Sequence, residues 1–263
     1  MNRIDQKFED LRESSQKALI TYVTAGDPEL ESTKALVLEM AQKGADLIEI
    51  GIPYSDPVAD GPVIEKAAQR ALSQKIKIKD IMEIVKEIRK ASQVPLLYLV
   101  YFNCILQYGG EAFVSDCKNV GIDGLIVPDL PFEESGELRA MGEQYDIRMI
   151  TLIAPTSKDR IQKIVQGAKG FIYCISSMGV TGTRDRFSTN FMDFIEEIGK
   201  YSDIPKAIGF GISTPAQIRQ LKDYCDAMIV GSAIVKVIEK YGDSEGLVQK
   251  VGEFVGTLKK GMA

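Results

Sequence analysis

The segment Asp46-Leu-Ile-Glu-Ile-Gly51 is a short apolar run rich in branched side chains, and a loop rich in proline and aspartate follows it over residues 52–62. Short hydrophobic runs that are bounded by turn residues are typical of the buried strands of a parallel sheet. Such a strand opens into a loop at its carboxyl end, so the polar residues of 52–62 should lie at one rim of the sheet. The same order, an apolar run followed by a loop, recurs along the chain.

Eight runs of this type predict eight strands, at 18–23, 46–51, 95–101, 124–128, 148–153, 170–175, 205–209 and 227–230. Segments with helical spacing lie between them, among them 32–43, 80–90, 133–145, 158–166 and 214–222. Hydrophobic strands that alternate with helices form parallel sheets covered on both faces, and eight such units in 263 residues favour a closed barrel. The predicted fold is one α/β domain over residues 1–263, a (β/α)8 TIM barrel of the phosphate-binding type with an extra N-terminal helix.

An open, doubly wound sheet is the weaker alternative. Dinucleotide-binding sheets of that kind carry GxGxxG after the first strand, and P-loop proteins carry GxxxxGK[ST]. The first pattern does not follow the first predicted strand, and the second is absent from the sequence.

The composition excludes several classes of chemistry and of partner. The chain contains no histidine, which removes Ser-His-Asp triads and most zinc sites and leaves acid-base work to carboxylates, tyrosines or lysines. A net charge of −5 without a basic cluster argues against nucleic acid or an anionic membrane surface as the main partner. No apolar run has the length of a membrane span, so we expect a cytoplasmic protein. The four separated cysteines predict reduced core residues rather than a metal site.

Three glycine-bearing segments follow the sixth, seventh and eighth predicted strands, at 179–183, 209–213 and 231–233. Glycines let backbone N–H groups approach an anion closely, and a helix that begins near Ser232 adds the positive end of its dipole. TIM barrels commonly hold phosphate in these last loops. The sequence therefore predicts a phosphate site here, although each glycine taken alone is also typical of a tight turn.

Glu49 is a carboxyl residue inside an otherwise apolar predicted strand. If Ile48 and Ile50 face the helices, Glu49 faces the barrel interior, where burial raises the pKa of a carboxyl toward the range of a general acid-base group. Asp60 lies in the loop beyond the strand end, and two carboxyls in different surroundings can take different roles. The alternatives are a structural Glu49 paired with a lysine or arginine and an Asp60 that only forms a turn.

Apolar and aromatic residues near the ends of the predicted strands are candidates for a pocket that takes a flat aromatic ligand. Tyr173 can share the inward face of its strand with Phe171 and reach the mouth with its hydroxyl, although a core tyrosine is an equally good interpretation. The polar segment 176–188 is typical of a mobile lid, with a static loop as the alternative. The remaining pocket candidates, several of which can equally be ordinary barrel core, are Tyr22, Leu99, Ile126, Val127, Leu152 and Ile229.

The string Glu49-Ile-Gly-Ile-Pro-Tyr-Ser-Asp-Pro-Val-Ala-Asp60-Gly-Pro62 resembles the signature of the tryptophan synthase alpha chain family. Other segments that resemble the family agree in order and span nearly the whole chain, at 24–28, 126–131, 154–157, 179–182, 209–213 and 230–234.

The resemblance implies retro-aldol cleavage of indole-3-glycerol phosphate to indole and D-glyceraldehyde 3-phosphate, with neither metal nor organic cofactor in this chain. It implies that Glu49 moves protons at the indole ring carbon and the glycerol hydroxyl, while Asp60 accepts a hydrogen bond from the indole N–H. Tyr173 would support the substrate near Glu49, and Thr181 in the lid would contact Asp60. The implied phosphate-holding residues and their neighbour are Gly182, Phe210, Gly211, Gly231 and Ser232.

The resemblance also implies a partner, the tryptophan synthase beta chain, which carries pyridoxal phosphate and receives indole through a tunnel in an alpha2-beta2 complex. The loop 53–62 and the segment 129–131 would face that partner. Three alternatives stay open: a free-standing lyase, a poorly active barrel that activates a beta chain, and a different phosphate-binding barrel. Enzymes of the last kind often use a lysine, and Lys206 lies near the start of its predicted strand, which is the wrong end.

Three positions depart from the pattern of the family. Tyr22 stands where phenylalanine is common and places a hydroxyl near the indole pocket, and Tyr54 likewise replaces a phenylalanine on the expected partner face. Ser177 and Met178 stand where some members carry Arg-Ser, so an arginine contribution to lid closure is absent there.

Overall fold

The computed structural model describes residues 1–175, 189–209, 211–242 and 244–262. The strands in these ranges are β1 (Ala18–Thr24), β2 (Leu47–Gly51), β3 (Leu96–Leu99), β4 (Gly124–Ile126), β5 (Arg148–Met149), β6 (Thr151–Ile153), β7 (Ile172–Ile175), β8 (Lys206–Gly209) and β9 (Ala227–Val230). All of their pairings are parallel, and their order in the sheet is β5-β4-β3-β2-β1-β9-β8-β7-β6. Because only Ile150 separates β5 from β6, the two edges of the sheet meet, and the predicted TIM barrel is confirmed.

The fifth predicted strand, 148–153, is divided in the structure. β5 pairs with β4, and β6 pairs with β7. Between them the Ile150 N–H donates to the Leu125 carbonyl at 2.9 Å, while the Ile150 side chain is buried in the barrel interior. The chain changes hydrogen-bonding partner at this residue, which a hydrophobic pattern cannot indicate.

Helices surround the barrel in the described ranges. They are α1 (Arg3–Glu13), α2 (Leu30–Gln42), α3 (Pro62–Ser73), α4 (Ile78–Ala91), α5 (Phe102–Tyr108), α6 (Gly110–Val120), α7 (Gly136–Gln144), α8 (Ile161–Val165), α9 (Thr189–Gly199), α10 (Pro215–Leu221), α11 (Ser232–Tyr241) and α12 (Leu247–Lys260). Two predicted helices, 133–145 and 158–166, each begin as a 3₁₀ turn, at Phe132–Glu134 and Pro155–Arg160. None of the helices described is long and apolar enough to cross a membrane.

The strand side chains alternate between two hydrophobic clusters, as period-two geometry requires. Ile48 and Ile50 pack in the outer cluster between the strands and the helices, together with Leu36 of α2 and Val85 of α4. Leu47 belongs instead to the inner cluster that fills the barrel. This alternation sends the side chain of residue 49, between the two isoleucines, toward the barrel interior.

The predicted N-terminal helix is confirmed as α1, and it closes one end of the barrel. Ile4, Phe8 and Leu11 are buried in the inner cluster, where the Phe8 ring lies 5.7 Å from the ring of Phe171. Burial of each such side chain contributes about 1.5–3 kcal/mol. The Asn2 side chain anchors the helix, because its amide nitrogen donates to the carbonyls of Asp123 and Asp146, which precede β4 and β5. With the amino end plugged, the carboxyl ends of the strands form the open mouth.

Three of the four cysteines lie in the core, as predicted. Cys117, Cys174 and Cys225 are buried free thiols. Cys104 is also free but only half-buried, because it lies on α5 at the rim of the barrel.

Candidate active site

Glu49 is buried in the barrel wall, with 1% of its surface exposed. Its partners in the sheet register are Tyr22 on β1 and Leu97 on β3. The Oε1 atom has no hydrogen-bond partner, and the carboxyl forms no ion pair, among the residues that the structure describes. Burial without compensation raises the pKa of Glu49 to about 8. The described residues thus give no support to the alternative of a structural acid paired with a cation.

Asp60 lies where the loop after β2 enters α3, directly before the N-cap residue Gly61. The pKa of Asp60 is raised to about 6, mainly by burial; hydrogen bonding from the Tyr101 hydroxyl opposes the rise, and the charge of the nearby Glu65 adds to it. The positive end of the α3 dipole also favours a negative charge at this position. Asp60 is therefore a carboxyl in a partly polar setting rather than an apolar one.

The two acids differ in protonation at neutral pH. A carboxyl with a pKa of about 8 is mostly neutral at pH 7, whereas one with a pKa of about 6 is mostly ionised. Two carboxyls whose surroundings separate their pKa values can serve as a proton donor and a charged acceptor in one site.

Tyr22 lies beside both acids. Burial, and next the charge of Asp60, raise the pKa of its phenol far above the ordinary value. The hydroxyl is 3.2 Å from Oγ1 of Thr24. Gly51 makes room for this ring, because a Cβ at residue 51 would lie 2.1 Å from the Tyr22 hydroxyl oxygen.

Tyr173 enters the barrel from β7. Its ring lies 6.5 Å from that of Phe171, which confirms that the two residues share the inward face. Burial and the charge of Glu49 raise the pKa of Tyr173 well above the ordinary range, so the phenol remains a neutral hydrogen-bonding group.

Most of the predicted pocket residues come together in the barrel. Leu99, Leu152 and Tyr173 are half-buried and pack on the inner cluster, which contains the fully enclosed Ile126 and Ile229. The three half-buried side chains thus line the mouth, and the two isoleucines lie among the core residues. Leu99 also joins a separate small cluster around Tyr22.

Val127 does not belong to this group, so of the two interpretations left open for it, pocket residue or ordinary barrel core, its packing supports the second. It packs in the outer cluster, because Ile126 faces inward and the next residue must face outward.

The described part of the predicted phosphate site lies at the carboxyl ends of β8 and β9. Gly211 follows β8 with φ +67°, a backbone conformation that favours glycine. Gly231 is the N-cap of α11 and Ser232 is its first residue, so the free N–H groups of the first helical turn point to the mouth side. Thr181, Gly182 and Phe210, as well as the predicted lid 176–188, lie outside the described residues.

Tyr101 is a site residue that the sequence pattern did not identify. Its hydroxyl oxygen accepts a hydrogen bond of 3.1 Å from the Ala59 N–H, and its ring stacks on Tyr54 with centroids 5.1 Å apart. Tyr101 is the last residue of the predicted strand 95–101, and the ends of barrel strands are where functional residues concentrate. That position was the signal that could have identified it.

Lys206 is at the amino end of β8, as expected, and its Nζ atom lies 3.8 Å from the Asp226 carboxylate. It is therefore remote from the mouth, where a Schiff-base lysine would have to act.

Comparisons with known proteins identify the family. The family model for the tryptophan synthase alpha chain matches residues 8–263. The tryptophan synthase alpha chain of Thermoanaerobacter sp. (strain X514) is 51% identical over 260 residues, which cover 99% of each chain. That of Clostridium kluyveri (strain NBRC 12016) is 48% identical over 262 residues and covers 100% of both.

Solved structures agree with these relatives. The crystal structure of tryptophan synthase subunit alpha from Legionella pneumophila str. Paris has a TM-score of 0.92 at 33% identity, with 100% of this chain and 98% of that chain covered. A tryptophan synthase structure from Mycobacterium tuberculosis gives 0.91 at 33% identity, with 99% and 98% covered. Sequence and structure together place this chain in the tryptophan synthase alpha chain family.

Proposed function

We propose that this chain cleaves indole-3-glycerol phosphate to indole and D-glyceraldehyde 3-phosphate as the alpha subunit of a tryptophan synthase, with Glu49 and Asp60 as its catalytic residues. Family membership supports the reaction class, a carbon–carbon lyase of tryptophan biosynthesis. The observation that carries the assignment of roles is the pair of carboxyls at the barrel mouth, with pKa values of about 8 and about 6. One acid is neutral at pH 7 and can give a proton, and the other is charged and can stabilise a cation.

The chemistry begins with a proton transfer to carbon. Neutral Glu49 donates its proton to the indole ring carbon that bears the glycerol chain, which breaks the aromaticity of the ring and makes indole a leaving group. The Asp60 carboxylate accepts the indole N–H hydrogen bond and stabilises the positive charge that develops on the ring. No water needs to enter for this step.

The carbon–carbon bond then breaks. The hydroxyl next to the ring loses its proton to the Glu49 carboxylate, its oxygen becomes the aldehyde oxygen, and the electrons of the broken bond return to the indole ring. Glu49 ends the cycle protonated, so the reaction consumes no net proton and needs neither oxidant nor cofactor. Tyr173, whose phenol lies within electrostatic reach of Glu49, supports the substrate.

The substrate phosphate is assigned to the mouth beside β8 and β9. Gly211 and Gly231 offer backbone N–H groups without a side chain in the way, Ser232 adds a hydroxyl, and α11 directs the positive end of its dipole there. Gly182 and Phe210, outside the described residues, complete this site by resemblance. The indole ring then occupies the space lined by Leu99, Leu152 and Tyr22.

A beta chain is the proposed partner, in an alpha2-beta2 complex in the cytoplasm, and pyridoxal phosphate chemistry belongs to that partner. Exposed apolar side chains on the rim support a docking surface. Val58 in the loop 53–62 is 76% exposed, and Leu106 on α5 is 59% exposed. The Asp129 carboxylate accepts hydrogen bonds from the Phe102 N–H, which ties the segment 129–131 to α5 beside this surface.

Indole release from indole-3-glycerol phosphate tests the proposal, measured with and without a tryptophan synthase beta chain. We expect slow release by the chain alone, faster release with the beta chain, and at least a roughly hundredfold loss in Glu49→Gln and Asp60→Asn. The control Glu83→Gln changes an exposed carboxyl and should retain activity. Rapid release that a beta chain does not change would support a free-standing lyase, and no turnover under either condition would reject the reaction.

A further inference from the structure

A cavity of about 250 Å³ is formed by the segments that follow β4 and β6, together with α7. Its walls are mostly apolar, and the side chains of Leu130, Phe132, Ile153 and Ile164 contribute to them. The cavity shares Leu152 with the proposed indole pocket, but neither of the two catalytic acids lines it. It is therefore a second space beside the barrel mouth, with walls of its own.

Arg139 of α7 is a half-buried cation in the wall of this cavity, and it forms no ion pair among the described residues. Burial lowers the pKa of its guanidinium, against the opposing effect of the charge of Glu143. The other half-buried arginines in the described ranges each pair with a carboxylate at 2.6 to 2.8 Å. They are Arg3, Arg70, Arg89 and Arg148.

The acidic side chains around the cavity are engaged elsewhere. Glu133 pairs with Arg160 at the rim, and Glu143 pairs with Lys169, each at 2.8 Å. Asp129 accepts hydrogen bonds from the N–H of residue 102. The charge of Arg139 is thus left for a group from outside this part of the chain.

Two buried hydroxyl groups and an aromatic ring hold the guanidinium in place. Its Nε atom donates to Ser135 Oγ at 2.8 Å, and Nη2 donates to Thr151 Oγ1 at 3.0 Å. The guanidinium carbon lies 5.0 Å from the centroid of the Phe132 ring, which favours a fixed plane. The N–H groups of Nη1 have no hydrogen-bond partner among the described residues, so donors of fixed direction remain available to a ligand.

These features specify the chemistry of a ligand. A guanidinium binds a carboxylate with two parallel hydrogen bonds, and the apolar walls suit an apolar body. An apolar cavity of roughly 150 Å³ holds benzene. The cavity beside Arg139, at about 250 Å³, therefore has room for one ring and a carboxylate.

We propose that this cavity binds a small monocarboxylic acid with an apolar body, such as an aromatic acid of a single ring. Its carboxylate pairs with Arg139, and its body packs against Phe132, Ile153 and Ile164. The ligand supplies the acidic partner that the other half-buried arginines find within the chain. The site does not depend on the proposed function, because neither catalytic acid takes part in it.

Benzoate is the probe, and the isoleucine δ1-methyl NMR signals of the full chain report its binding at constant ionic strength. We expect the signals of Ile153 and Ile164 to shift and to saturate at roughly millimolar concentration or below, while that of Ile229 in the inner cluster stays in place. Benzamide has a similar shape without the charge and should bind at least roughly tenfold more weakly. Shifts at Ile229 alone would place benzoate in the barrel interior and overturn the proposal, as would the absence of any saturable shift.

Arg139→Met keeps a long side chain, removes the charge, and should weaken benzoate binding by roughly tenfold or more. Arg160→Gln is the matched control, because it removes an exposed charge at the rim that already pairs with Glu133. It should change the affinity by less than roughly twofold. Equal losses in the two variants would show that the overall positive charge attracts benzoate, and would overturn the site.

A second variant keeps Arg139 and fills the cavity instead. Ser157 is half-buried in the cavity wall, and its hydroxyl forms no hydrogen bond among the described residues. Ser157→Leu should therefore abolish benzoate binding without the loss of a contact, and an unchanged Ile229 signal confirms that the barrel is folded. Unimpaired binding of benzoate by this variant would overturn the proposal.

Discussion

Tyr22 and Glu49 are register partners across β1 and β2, so the phenol and the carboxyl enter the barrel at the same level. Both groups are buried, and the charge of Glu49 is among the causes that raise the pKa of Tyr22. The neutral Tyr22 ring thus lies beside Glu49 and helps to shield its carboxyl from water. This arrangement explains why burial, rather than a neighbouring charge, dominates the pKa of Glu49.

The pH dependence of activity should be bell-shaped. Asp60 loses its charge below a pKa of about 6, and Glu49 loses its proton above a pKa of about 8. We therefore expect kcat/KM for indole-3-glycerol phosphate to be greatest near pH 7 and to fall on both sides. Initial rates between pH 5 and pH 9.5 measure this, and a profile that stays flat across about pH 8 would contradict the role of Glu49.

Glu49→Gln should change how stability depends on pH. The pKa of about 8 in the folded state exceeds the ordinary value of 4.5, so between these values the folded chain holds a proton that the unfolded chain has lost. The free energy of unfolding of the wild type should therefore fall as pH rises from about 4.5 to about 8, at up to about 1.4 kcal/mol per pH unit. Glutamine does not ionise, so the variant should lack this fall. Urea unfolding at pH 5 and pH 9 measures the difference. If the free energy of unfolding changes equally with pH in both proteins, the pKa of Glu49 is not raised by burial.

Tyr22→Phe should destabilise the protein by about 1 kcal/mol, because it leaves the buried Thr24 hydroxyl without the partner that lies 3.2 Å away. A double-mutant cycle with Thr24→Val isolates this pair. We expect a coupling energy of about 0.5–1.5 kcal/mol from urea unfolding. A coupling near zero would show that the two hydroxyls do not bond.

Tyr98→Phe should stabilise the protein, in contrast to Tyr22→Phe. The Tyr98 hydroxyl is buried and has no hydrogen-bond partner among the described residues, so its removal should raise the free energy of unfolding by about 1 kcal/mol. The matched variant Tyr108→Phe removes a hydroxyl that donates to Asp116 at 2.6 Å and should lower the free energy instead. The proposal of an unpaired hydroxyl fails if both variants lower stability equally in thermal unfolding.

Asp123→Asn should be among the most destabilising conservative changes. The buried carboxylate accepts bonds from Arg89 at 2.7 Å, from Arg3 at 2.8 Å and from the Leu96 N–H at 2.9 Å. The Arg89 side chain is only 9% exposed, so losing its partner should cost about 3 kcal/mol. Urea unfolding of Asp123→Asn is compared with that of Glu83→Gln, which breaks an exposed ion pair with Lys86. The free energy of unfolding of Glu83→Gln should change by less than about 1 kcal/mol. Similar losses in the two variants would contradict this view of the network.

Much of the candidate site could be predicted from residues in one strand and the loop that follows it. The orientation of Glu49 followed from the isoleucines on either side, because a strand alternates its faces with a period of exactly two residues. The same rule accounts for Val127, which was a pocket candidate only because it lies near a strand end, and which packs in the outer cluster because Ile126 faces inward. The division of the fifth predicted strand at Ile150 could not be predicted by this rule, because it depends on which neighbouring strand forms each hydrogen bond.

The contacts of Tyr101 could not be predicted from the sequence. Its position at a strand end is visible in the sequence, but its bond to Ala59 and its effect on Asp60 depend on how the loop 53–62 folds back over the rim. Loops of this kind follow tertiary contacts rather than local propensity, so their partners cannot be inferred from spacing.

The sequence by itself determined the alternation of strands and helices, the inward orientation of Glu49 and the family. These features follow from local periodicity and from residues adjacent in the chain. Only the tertiary structure decided the closing of the amino end by α1, the network that joins Arg3 and Arg89 to Asp123, and the separation of the pKa values of Glu49 and Asp60. The physical reason is that burial and charge at a site are set by groups distant in sequence, which meet only when the barrel closes.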